Sequence, residues 1–237
     1  MPFHRFIQIL FNKELTLISP SKWPDQYEQY WLKQLETEAG KEALQDYAKQ
    51  FNGDNTSNAE KIEKLNSLIC RTVYCLCFSK ERDSEVLWNA HADNNRAIMI
   101  QTTEEKVLHI ADGYNATVQE VKYDLEQADM RKSFLEKFQI QKGSTSLIDV
   151  DDLFLHKRKI FSYEQEIRFL VYGYGNKGPV LKLKAANLTD LIDGVMVHPL
   201  ADEAHVSLIE MLCSKFGIEF LGKSTVYEFP QYMEEPQ

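Results

Sequence analysis

The chain has too little positive charge to grip a nucleic-acid backbone. Its 36 Asp and Glu outnumber its 27 Lys and Arg, for a net charge of −9. Generic phosphate-backbone binding draws on the opposite surplus, so only a local basic patch stays open. Cysteines are few, four in 237 residues, and no two are spaced Cys-x-x-Cys, the tight-turn pairing of zinc sites. Cys75 and Cys77 are two apart on one face of an expected strand and read as buried, reduced thiols, so no metal is expected. The glycines form no phosphate loop. Gly173, Gly175 and Gly178 follow one expected strand and precede another, without the helix N-terminus that receives phosphate, and read as a hairpin turn. A Gly-x-Ser-x-Gly elbow and a His-Glu-x-x-His helix are both missing. No run approaches the ~20 apolar residues that span a bilayer, and the first residues hold no signal-like apolar stretch. A cytoplasmic protein with no membrane partner is expected.

What is present is an ordinary globular composition, 43% hydrophobic and 27% charged, on a chain long enough to bury a core without staples. Strands are expected at 3–10, 15–19, 72–78, 97–101, 117–123, 164–172, 180–184, 192–197, 218–221 and 225–229. Helices are expected at 26–50, 62–69, 84–92, 125–141, 149–157 and 202–216, the last capped by Gly217. Residues 52–58 and 143–146 read as loops. The strand at 72–78 is apolar on both faces and should be central. Strands and helices mix without a β-α-β rhythm, and no linker or repeat stands out. The expectation is a single α+β domain over 1–237, with a mixed or antiparallel central sheet flanked by helices.

The stretch 159–168, Lys-Ile-Phe-Ser-Tyr-Glu-Gln-Glu-Ile-Arg, carries the most chemistry. As a strand it would set Glu164, Glu166 and Arg168 along one exposed face, with Ile167, Phe169 and Val171 on the other. Two readings stay open: a site, or a cross-strand ion-pair ladder on a solvated face. The basic run His156-Lys157-Arg158-Lys159 just before it fits a helix C-terminus, or a receiver for an anionic ligand. Ser79 at a strand end, with Trp88 and His91 on the helix that follows, would line a pocket in the functional reading. In the structural one Trp88 is core and His91 a surface histidine.

The order of these pieces resembles an uncharacterised bacterial family, domain-of-unknown-function family 2971. The resemblance rests on Phe3-His4-Arg5-Phe6, on residues 17–25 ending Trp23-Pro24-Asp25, on Cys77-Phe78-Ser79 with Trp88, and on 159–168, and it spans nearly the whole chain. A second resemblance is to the ADP-ribosyltransferase superfamily, enzymes with a split α+β sheet and three polar positions. These are Arg or His on the first strand, Ser or an aromatic on the second, and Glu on a late one. His4 or Arg5, Ser79 and the Glu164/Glu166 pair would occupy them. The resemblance implies NAD or a related nucleotide as substrate, bound by His4, Arg5, Ser79, Trp88 and Arg168. Glu166 would stabilise the oxocarbenium-like ribose as nicotinamide leaves, and Glu164 would address an acceptor, protein or nucleic acid. It also implies a bacterial defence or toxin-type effector. A non-catalytic sensor or protein-binding module of the same family is the alternative.

Overall fold

The computed structural model describes residues 1–25, 27–28, 37–38, 72–125, 154–173 and 178–228, which form an α+β protein. The expected helices at 26–50, 62–69 and 125–141, and the loops at 52–58 and 143–146, lie almost entirely outside these residues. Contacts divide the chain into two compact units. One comprises Met1–Leu15, Glu81–Ile110 and Lys184–Gln237, and the other Thr16–Lys80 and Ala111–Leu183.

The second unit centres on a five-stranded sheet. Its strands are β1 (Glu14–Ile18), β2 (Val73–Ser79), β4 (Asn115–Glu120), β7 (Glu166–Tyr172) and β8 (Val180–Lys184), in the order β4-β7-β2-β1-β8. β2 is an inner strand, as its two apolar faces require, and Val73, Tyr74 and Cys75 are buried. It pairs antiparallel with β7 along seven residues, from Val73 opposite Tyr172 to Ser79 opposite Glu166. The other edge of β7 pairs with β4. Both edges being taken, β7 has no place for β8, which lies beside β1, so these two strands do not pair as the expected hairpin requires. The Ser19 amide instead donates to the Pro179 carbonyl, 2.9 Å away. The expected strand at 117–123 is two strands. β4 ends at Glu120, the Val121 amide reaches the Glu166 carbonyl (3.0 Å), and β5 (Lys122–Leu125) pairs parallel with β6 (His156–Arg158). The basic run is therefore a strand, where a helix C-terminus was expected. Next comes a 3-10 helix, Lys159–Glu164, closed by Gln165 in the left-handed region (φ 39°). That reversal confines the strand to residues after Gln165, so Glu164 is not on it.

In the first unit β3 (Ile98–Gln101), β9 (Gly194–Val197) and β10 (Glu219–Lys223) make a mixed sheet in the order β10-β9-β3. A Cβ at Gly194 would lie 2.7 Å from a Leu221 methyl, so close strand packing excludes a side chain there. Four α-helices lie wholly among the described residues. α1 is Phe3–Asn12, α2 Glu85–His91, α3 Glu104–Ile110 and α4 Glu203–Phe216. α4 is capped as read: the Asp202 carboxylate accepts the His205 amide (2.7 Å), and Gly217 closes it at φ 70°. α1 overturns the strand expected at 3–10. Its buried residues Phe6, Ile9 and Leu10 recur at three and four, which is helical spacing. α3 was not foreseen, although Glu104 and Glu105 occupy its first turn after Thr103. Residues 226–228 turn where a strand was expected, the Glu228 amide donating to Thr225. No helix among the described residues is long and apolar enough to cross a membrane.

Candidate functional site

The seven residues singled out in the sequence fall into two groups. His4, Arg5 and Trp88 belong to the first unit, and Ser79, Glu164, Glu166 and Arg168 to the second. His4 and Arg5 are exposed on α1, a helix where the resemblance implies a first strand. Trp88 is buried on α2. Its indole N–H donates to Asp83 (2.8 Å), and its ring meets His198 edge-on, centroids 5.4 Å apart. His91 is exposed.

The second group forms one cluster. Alternation along β7 puts Glu166 and Arg168 on one face, and pairing puts Ser79 opposite Glu166. Glu164 arrives from the 3-10 helix, and its carboxylate meets the same ammonium, Lys157 Nζ, that lies 3.0 Å from Glu166 Oε2. Arg168 donates from Nε to Glu166 Oε1 (2.8 Å), from Nη1 to the Phe154 carbonyl, and from Nη2 to Glu28 Oε1 (2.8 Å). Glu28 Oε1 also lies 3.2 Å from Lys157 Nζ. Three carboxylates thus share two cations. The Ser79 hydroxyl donates to the Glu164 carbonyl (2.6 Å), and the Glu166 amide donates to the Tyr123 hydroxyl (2.7 Å). These two contacts pin the backbone at both carboxylates.

The expected exposed face is not there. Glu164, Glu166 and Arg168 are 8%, 5% and 1% exposed, so a solvated ladder is ruled out along with an open one. Burial by itself pushes the Glu166 carboxyl up, but Arg168 and Lys157 beside it prevail and hold it down at about 2. Burial likewise favours the neutral forms of Lys157 and Arg168; Glu166, Glu164 and Glu28 override it and raise Lys157, and Cys77 and Glu166 override it and raise Arg168. Glu166 is thereby a fixed anion with a fixed orientation at any ordinary pH.

An aromatic shell surrounds these charges. The Trp23 ring lies 4.3 Å from the Arg168 guanidinium and meets Phe154 edge-on. Arg158 is stacked on Tyr27 (4.1 Å) and lies over Phe161 (4.9 Å), while its Nη2 donates to Asp25 (3.1 Å). Sequence reading missed Glu28, and with it the role of Lys157. Asp25 reads as part of the breaker and N-cap stretch before a helix from 26, Glu28 falls inside that helix without a role, and Lys157 reads as part of a helix end. The available signal was acidic residues alternating with aromatics in Trp23-Pro24-Asp25-Gln26-Tyr27-Glu28.

Cys77 corrects another expectation. It is exposed, because burial runs out along β2 beyond Cys75, and its Sγ lies 4.0 Å from that of the buried Cys75. Among the described residues no group of three or more His, Cys, Asp or Glu converges as a metal site would. No family model, curated protein or solved structure matches the chain.

Proposed function

We propose that the chain is an ADP-ribosyltransferase-like enzyme acting on NAD or a related nucleotide, with Glu166 as its central carboxylate. The observation that supports this reading is the strand order. β2 and β7 lie side by side, so the second and late strands that the resemblance names are neighbours, with Ser79 directly opposite Glu166, while the first, residues 3–10, is the helix α1 and β1 takes the other edge of β2. β1 carries no Arg or His, and the cations at hand are Lys157 and Arg168.

The chemistry follows from charge. Breaking the bond between the ribose and nicotinamide leaves a cationic, oxocarbenium-like sugar, and a carboxylate fixed in place stabilises it without reorganising. Lys157 and Arg168 keep Glu166 ionised and oriented for that task, while Glu164, on the same ammonium, would address the acceptor. Glu166→Gln keeps the shape and removes the charge. Purified protein incubated with NAD should release nicotinamide, Glu166→Gln should abolish that release, and Glu164→Gln should lower transfer to an acceptor but spare hydrolysis. Each variant needs a thermal melt beside the assay, since both side chains are buried.

The second reading, a non-catalytic sensor or protein-binding module, is favoured by one observation: each of the three carboxylates already meets a cation. Such a network holds a fold together without chemistry. Wild-type protein that neither binds NAD nor releases nicotinamide would decide for it.

A further inference from the structure

Glu166 is 5% exposed, so a ligand reaches it only if something moves. Trp23, Asp25, Tyr27 and Glu28 lie against the cluster through their side chains. Trp23 covers Arg168 (4.3 Å), Asp25 takes Arg158 (3.1 Å), Tyr27 stacks on Arg158 (4.1 Å), and Glu28 takes Arg168 and Lys157 (2.8 and 3.2 Å). The backbone bends at Pro24 and turns at Tyr27 and Glu28, with short local bonds from the Tyr27 amide to Asp25 Oδ1 (2.8 Å) and from the Glu28 amide to the Asp25 carbonyl (3.2 Å).

Charge singles out Glu28. Three carboxylates face two cations, one anion in surplus. Glu166 is anchored in β7, and Glu164 in the turn that leads to it. Glu28 comes from 140 residues away in sequence and projects from a turn. Its oxygen receives a guanidinium N–H and an ammonium together, the donor pair that proteins also turn toward phosphoryl oxygens.

We propose that Glu28 is a built-in substitute for a phosphoryl group, occupying the seat on Arg168 and Lys157 that a phosphoryl oxygen of the ligand takes. The proposal rests on the nucleotide reading above and adds its regulation: ligand entry and release of Trp23, Asp25, Tyr27 and Glu28 from the cluster are one event. An internal competitor lowers apparent affinity by the fraction of time the seat is free, so removing its charge raises affinity.

The test is calorimetric titration of the full chain with inorganic pyrophosphate, wild type against Glu28→Gln. The variant should bind about tenfold more tightly, the size of one lost charge-assisted competitor. Equal or weaker binding by folded Glu28→Gln, or no binding by either protein, overturns the proposal. Acetate serves as the second arm, and binding of acetate as tight as that of pyrophosphate overturns the phosphoryl assignment. Should Glu28→Gln fail to fold, hydrogen exchange of the wild type decides. Pyrophosphate should speed exchange at the Tyr27 and Glu28 amides, and an unchanged rate overturns the idea. Nicotinamide is measured nowhere in this experiment. Pyrophosphate binding with the expected gain, in a protein that releases no nicotinamide, would therefore sink only the catalytic reading.

Discussion

Each unit sets a polar network on carboxylates, a single half-buried one in the first and three in the second, and the two are built on opposite principles. In the first unit Asp83 is met by neutral donors, the Trp88 indole at 2.8 Å and the Ser224 hydroxyl at 2.7 Å. In the second, Glu28, Glu164 and Glu166 are met by Lys157 and Arg168. A neutral donor can be removed at the cost of one hydrogen bond, because the remaining donors still solvate the carboxylate. Removing one member of a buried ion network strands its partners without water, which costs far more than the network contributed when intact. The first arrangement suits a scaffold. The second holds charge in a fixed place, as a site requires.

Arg168→Met is the harshest way to break the comparison. Arg168 is 1% exposed and touches two of the three carboxylates. Methionine fills much of the space and leaves three carboxylates facing one ammonium. A loss of about 3–5 kcal/mol is expected in urea unfolding at neutral pH. A loss under about 1 kcal/mol would mean that the carboxylates find water when the guanidinium goes, and the contrast between the units would disappear.

That cluster also marks where the sequence was legible and where it was not. Period-two alternation correctly paired Glu166 with Arg168, and two-sided apolarity placed β2 inside the sheet, because both signals are local. The helix α4 was legible from its caps, Asp202 and Gly217. Glu164 was assigned to the strand because nothing marks Gln165 as a residue that turns left-handed at φ 39°. Glu28 and Lys157 were missed for another reason: an ion pair between residues 129 apart leaves no trace in the sequence around either one. α1 was misread because Phe, Ile and Leu in residues 3–10 suit a strand by type, while the spacing of Phe6, Ile9 and Leu10 is helical. Exposure was the largest error. A charged triplet reads as solvated unless its partners are known.

Acid sharpens the comparison with a somewhat smaller effect. Glu166 titrates at 4.5 when unfolded and at about 2 when folded. A carboxylate whose folded value is depressed gives stability that is fully present above the unfolded value and lost as pH falls through the folded one. The window therefore runs from about pH 4.5 down to about pH 2, and the shift corresponds to roughly 3 kcal/mol. Urea midpoints measured across it should fall for the wild type, and Glu166→Gln should remove that part of the slope. A slope that is the same in both proteins would assign the acid sensitivity elsewhere.

The mildest expected effect lies in the first unit, and it is the control that gives the others meaning. Ser224 is 2% exposed, and its hydroxyl lies 2.7 and 3.0 Å from the two oxygens of Asp83. Ser224→Ala removes that donor with almost no change of volume. Asp83 keeps the Trp88 indole N–H, and the Val226 amide loses a long, 3.4 Å contact. A hydrogen bond to a charged group contributes about 1.5–3 kcal/mol, and no ion is left stranded, so the stability from urea unfolding should fall by the lower end of that range and no more. A loss as large as that of Arg168→Met would show that neutral donors and ions are equally indispensable to a carboxylate in this fold. The charge count in the second unit would then no longer single out a site.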